Sequence, residues 1–132
     1  MVDIVSNLHF FNMVLVLASG TITGVWGLIL FFMKKQTIIR PWRISLIFTA
    51  VVSLLQALLG IILLLLGQRP GPPGDSLFYL HFVYGGIVAL AIPVAVTYAT
   101  GGKQPRRDLL IYSLISLVLV AAAVRALMTG PS

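Results

Sequence analysis

Two histidines, His9 and His81, are the only ones in the chain, and each falls inside an apolar stretch: Leu8-His9-Phe10 in the first, Leu80-His81-Phe82-Val83-Tyr84-Gly85-Gly86 in the third. An ionisable ring in hydrocarbon is costly, and the usual reason to keep one there is function with a definite partner. Neutral imidazoles at that depth suit metal ligation, and two on different helices can grip one cofactor from opposite sides. The chain has no cysteine. That removes disulfides, thiolate metal sites, iron–sulfur clusters and covalent haem attachment together, so any tetrapyrrole would be held without a covalent link.

The rings need helices to position them. Of 132 residues, 59% are hydrophobic and only 9% are charged, and the mean hydropathy is +1.07. A water-soluble core of this size cannot hide so much apolar surface. Four apolar runs, at about 5–33, 44–67, 77–99 and 108–128, are each near the roughly 20 residues that a helix needs to cross about 30 Å of hydrocarbon. The loops between them carry Pro and Gly, which are expected to stop the helices and turn the chain. The expectation is an all-α, integral membrane four-helix bundle running up-down-up-down, a single transmembrane domain over residues 1–132.

Basic residues set the orientation. Lys34, Lys35, Arg40, Arg43, Lys103, Arg106 and Arg107 occupy the first and third loops, whereas the second holds only Arg69 and the N-terminal tail none. Positive charge stays cytoplasmic, which places both termini outside, as in a bacterial cytoplasmic membrane protein. The pI near 10.4 is thus a topological signal set in a lipid bilayer, with no nucleic-acid groove behind it. The N-terminus lacks a basic n-region and a small-residue cleavage site, so the first helix is expected to be retained.

In this topology the first and third helices run in the same direction and lie diagonally across the bundle. Lys34 follows His9 by 25 residues and Lys103 follows His81 by 22, a difference of about 4.5 Å along a helix. The rings are therefore expected at nearly one depth, toward the outer face. A flat cofactor there needs small neighbours. Gly60 on helix 2, Gly85 one turn from His81, and Ala121-Ala122-Ala123 on helix 4 supply them, although small residues also line ordinary helix contacts in membranes.

Arg125, near the outer end of helix 4, falls level with the histidines or slightly above them. Its guanidinium can hold haem propionates bidentately, or simply snorkel to the interface. Gln56, near the middle of helix 2, can bond a quinone or a cofactor edge. Ser19, Thr21, Thr23, Thr49, Ser53 and Thr97 read as packing hydroxyls bonded to their own backbone or across to a neighbouring helix. Gly20-x-x-x-Gly24, followed by Gly27, makes a small-residue face on helix 1, suited to close packing within the bundle or against another chain. Pro93 is expected to bend helix 3.

The order of one histidine in a membrane helix, then Gln56-Ala57-Leu58-Leu59-Gly60 in the next, then Leu80-His81 in the one after, resembles one four-helix half of the haem A synthase family, over about residues 8–90. The resemblance, shared with membrane b-type cytochromes, implies haem b with His9 and His81 at the ligand positions. The chain has no glutamate and no His-Arg pair after the first helix.

Other classes are poorly served. Small four-helix drug exporters are similar in size but work through a membrane glutamate, and the acidic residues here are only Asp3, Asp75 and Asp108. No Ser-His-Asp, paired-carboxylate or H-E-x-x-H arrangement is present. Two readings stand: a bis-histidine haem-b electron carrier near the outer face, exchanging electrons with a quinol or an external redox protein, and a cofactor-free accessory or scaffold subunit of a larger membrane complex or homo-oligomer. A chlorophyll-type pigment, needing one histidine per magnesium, is a variant of the first.

Overall fold

The computed structural model describes residues 2–34, 37–68 and 79–129. It contains four helices, α1 Val2–Phe32, α2 Arg40–Leu65, α3 Tyr79–Tyr98 and α4 Pro105–Thr129, with no strand among the described residues. All four are long and apolar enough to cross a membrane, and the protein is an integral membrane four-helix bundle. Arg69 and Asp75 of the second loop, Lys35, and the first residues assigned to the third helix lie outside the described residues.

The helices run antiparallel in sequence order. α1 packs closely against both α2 and α4, α3 packs against α4, and α2 touches α3 much less. This leaves α1 and α3 diagonal, as the topology requires. Lys34, Arg40, Arg43, Lys103, Arg106 and Arg107 consequently gather at one end of the bundle.

Two boundaries differ from the sequence expectation for one reason. Pro41 and Pro105 were assigned to loops, yet α2 begins at Arg40 with proline in its first positions and α4 begins at Pro105 itself. Proline lacks an N–H that the first turn does not need, and its fixed φ suits that turn. It starts these two helices; it does not stop the preceding ones. α2 ends instead at Leu65 and is closed by Gly67 just beyond its C-cap Leu66, in the left-handed conformation at φ 87, with Gln68 N–H donating to the Leu63 carbonyl at 2.9 Å. That is a glycine-closed helix end. α3 runs unbroken through Pro93.

Large apolar side chains cover the outside of the bundle, and many of its core positions are small or polar beside Trp42, Leu109 and Leu119. Ile22, Val25, Ile29, Leu54, Leu58 and Ile61 are exposed, while Thr23, Thr49, Ser53, Ser113, Ser116 and Ala123 are fully buried. With lipid outside there is no hydrophobic penalty for this arrangement, and small interior residues let the backbones approach. The approach is closest between α1 and α4. A Cβ at Gly20 would lie 2.7 Å from a Val120 methyl, one at Gly24 would lie 2.6 Å from Leu117, and one at Gly27 would overlap the Ser113 hydroxyl. The glycine face of α1 therefore serves the bundle itself; α4 covers it, and it is not presented to another chain.

Of the hydroxyls singled out, Ser19, Thr23, Thr49 and Ser53 are buried: Thr49 donates to the Ser45 carbonyl at 2.9 Å, Ser53 to the Thr49 carbonyl at 2.7 Å, and Thr23 and Thr49 share a hydroxyl–hydroxyl bond of 3.1 Å. Thr21 and Thr97 are exposed, Thr97 donating to the Val94 carbonyl at 2.6 Å. Trp42 is fully buried, its indole N–H donating to the Thr23 carbonyl at 2.9 Å. Asp108 closes the α3–α4 turn: its carboxylate accepts the Thr100 N–H at 2.8 Å, the Thr100 hydroxyl at 2.9 Å and the Gly102 N–H at 3.2 Å. Gly101 and Gly102 supply the positive φ that this turn needs.

Candidate functional site

Away from the basic end, a cavity of about 360 Å³ lies between α1, α2 and α3, within the range of small-molecule pockets, about 300–1,000 Å³. It falls beside the loose α2–α3 seam. His9, His81, Gln56, Gly60 and Gly85 all line it. Residues chosen for their chemistry on three separate helices are thus brought to one wall.

The two imidazoles, 72 positions apart in the chain, have ring centres 6.3 Å apart and planes inclined at 62°. A metal ion about 2 Å from one nitrogen of each ring would hold the ring centres about 6 Å apart. Gly60 and Gly85 keep the walls bare. A Cβ at Gly60 would approach only His9 Cε1, at 3.4 Å, and one at Gly85 would meet nothing within 4 Å. These two glycines are not tight helix contacts, unlike those of α1. They leave room.

Hydrogen bonds fix the tautomers. His81 Nδ1 lies 2.8 Å from the Ala126 carbonyl oxygen of α4. A carbonyl only accepts, so Nδ1 carries the proton and Nε2 keeps its electron pair. Donation of the second ring N–H to a backbone carbonyl is the usual support of a metal-ligating histidine. On the other side the chain of bonds starts at Val52. Its carbonyl must accept from Asn12 Nδ2, at 2.8 Å, and the same amide nitrogen donates to Gln56 Oε1, also at 2.8 Å. That turns the Gln56 NH₂ group toward His9 Nε2, 3.4 Å away. His9 Nε2 is then the acceptor and Nδ1 the protonated nitrogen.

Both rings accordingly hold the same tautomer, with the Nε2 pair available. On His9 that pair is engaged only by a contact well beyond the usual length of about 2.9–3.0 Å. The His9 Nδ1–H is buried with no partner among the described residues. An orphaned buried donor costs about 1–3 kcal/mol and asks for an explanation such as a missing ligand.

Asn12 was not singled out in the sequence. It is 5% exposed and fixes the Gln56 amide, yet it is one amide in an apolar helix. Its position three residues after His9, on the same helical face, was the available signal.

Two expected contributors lie elsewhere. Arg125 does not line the cavity; it lies on the exposed side of α4, its guanidinium 5.6 Å from the centre of the Tyr84 ring. It does share a helical turn with Ala126, the acceptor for His81. Ala122 and Ala123 are buried in the core and Ala121 is exposed; none of the three lines the cavity, because the opening forms on the α2 side, where the helices pack less closely.

Among the described residues no three His, Cys, Asp or Glu side chains come together. The two imidazoles are therefore not part of a larger cluster of ligating side chains among the described residues. Comparison with protein-family models, with curated proteins and with solved structures gives no match.

Proposed function

We propose that this protein is a membrane haem-b-binding electron-transfer protein in which His9 and His81 are the axial ligands. One observation carries the reading: the only two histidines of the chain meet at 6.3 Å on the wall of a cavity kept open by Gly60 and Gly85. His81 keeps its Nε2 electron pair, and on His9 a metal at Nε2 would displace only the long 3.4 Å contact with Gln56. With two protein ligands and no third among the described residues, the remaining coordination positions would have to come with the metal, which is what a macrocycle brings. A haem held by both imidazoles would supply one-electron transfer and not oxygen binding.

The chain's own residues hold and tune. The Ala126 carbonyl would orient a ligating His81 through its Nδ1–H, and Asn12 holds the Gln56 amide beside His9. By the positive-inside rule the basic end is cytoplasmic and both termini are outside, in a bacterial cytoplasmic membrane. The histidines then lie toward the outer face, within reach of a quinol or an external redox protein. The alternative, a cofactor-free accessory or scaffold subunit, loses its expected docking face because α4 occupies the α1 glycines.

Haem titration of the detergent-purified protein tests the ligation. His9→Ala and His81→Ala should each abolish or greatly weaken binding, whereas Gln56→Ala keeps it. Stoichiometric haem in both histidine variants would refute the assignment.

A further inference from the structure

A second cavity, of about 500 Å³, lies at the basic end between α2, α3 and the start of α4. We propose that it binds one anionic phospholipid, with the phosphate on Arg43 and Tyr112 and an acyl chain along the α2–α3 seam. The inference is independent of the haem reading.

Three observations support it. The first is the pairing of donors at its mouth. Arg43 and Tyr112 both line the cavity, and neither the guanidinium nor the phenol has a hydrogen-bonding partner among the described residues. A cation and an O–H donor facing the same space suit an anionic acceptor, and a guanidinium suits phosphate in particular. The nearby carboxylate does not supply that acceptor: Asp108 lines the same cavity, but its oxygens are taken by Thr100 and Gly102 of the α3–α4 turn.

The second is the wall. Below the polar mouth the lining is aliphatic, from Leu46 and Ala50 to Leu54 on α2 and from Val96 to Ile92 on α3. Leu46 to Leu54 spans about 12 Å of helix, an aliphatic groove that takes the upper part of an acyl chain along the least closely packed seam of the bundle.

The third is charge and level. Lys34, Arg40, Lys103, Arg106 and Arg107 surround this end, and the cavity mouth falls in the first turns of α2 and α4, where headgroups lie. Basic pockets between membrane helices at such a level bind anionic headgroups.

Trp42 lines the cavity and reports on it. In a Trp26→Phe background, the protein is reconstituted in phosphatidylcholine vesicles with increasing phosphatidylglycerol brominated high on the acyl chain, and Trp42 fluorescence is followed. Quenching should saturate at a low fraction of brominated phosphatidylglycerol, whereas brominated phosphatidylcholine quenches only in proportion to its bulk fraction. Arg43→Gln should shift the half-saturation point roughly tenfold, the effect of losing one charge-assisted hydrogen bond. Tyr112→Phe should shift it less. Lys103→Gln, a basic residue off the cavity, should leave it unchanged. Circular dichroism checks that each variant is folded. Equal quenching by the two lipids, or an Arg43→Gln curve superimposed on the parent's, would overturn the proposal. So would relief of quenching by inorganic phosphate, which would indicate a free-anion site with no seated chain.

Discussion

Substituting alanine for glycine at two positions should change stability in opposite directions. At Gly24 a new Cβ would lie 2.6 Å from Leu117 Cδ2, 2.7 Å from its Cγ and 3.2 Å from the Ser113 carbonyl oxygen. Carbon atoms rest at about 3.5–4.0 Å, so about 1 Å of separation must be created. Rotating the outer torsion of Leu117 does not move Cγ, and the backbone oxygen cannot turn away; α4 itself has to retreat. Overpacking of this kind costs about 1–3 kcal/mol. At Gly85 a Cβ would meet nothing within 4 Å, and the residue is inside α3, where alanine is favoured over glycine by about 0.8–1.0 kcal/mol. Reversible unfolding in mixed micelles, followed by far-ultraviolet circular dichroism, should show Gly24→Ala less stable than the parent and Gly85→Ala slightly more stable. Adding Leu117→Ala to Gly24→Ala should recover part of the loss, so that the double variant is less destabilised than the two singles together. A Gly24→Ala variant as stable as the parent, or strict additivity of the pair, would refute the close α1–α4 contact from which the magnitudes are worked.

Other consequences follow from the same contacts. Asn12→Leu strands the Gln56 oxygen inside the bundle and should cost about 1–3 kcal/mol, read by the same unfolding assay; a neutral result would mean that the amide pair is not formed. Gly60→Phe should fill the space beside His9 and prevent haem uptake while leaving the helical spectrum unchanged, and haem binding at the parent's affinity would place the ligand elsewhere. Asp108→Asn puts an NH₂ group against donors from Thr100 or Gly102 and should lower stability by about 1–3 kcal/mol; unchanged unfolding would show that the turn does not depend on the carboxylate.

The four helices and their alternating direction were legible because apolar run length and basic loops report directly on a membrane. The convergence of His9 and His81 was legible for a related reason: equal depth follows from counting residues, and the diagonal arrangement follows from topology. Which face of each helix turns inward was harder to read, since lipid-facing and core-facing residues are both apolar here. That is why Ala121-Ala122-Ala123 was placed in the slot when the opening forms beside α2, and why Arg125 could be read either as a propionate clamp or as a side chain snorkelling to the interface. Asn12 escaped notice because its importance depends on meeting the Val52 carbonyl, a contact that exists only once α1 and α2 are packed. Asp108, identified only as an acidic residue at a helix end, is the carboxylate on which the α3–α4 turn closes. Pro41 and Pro105 show the limit of reading proline as punctuation, since the same ring that ends one helix can begin the next.

The most direct test of the central claim is the visible absorption spectrum of the purified protein supplied with haem, recorded oxidised and then dithionite-reduced. Ligation by His9 and His81 predicts a low-spin spectrum, with a sharp Soret band and resolved alpha and beta bands on reduction, at a stoichiometry of one haem per chain. A preparation that stays colourless after haem is supplied would contradict it.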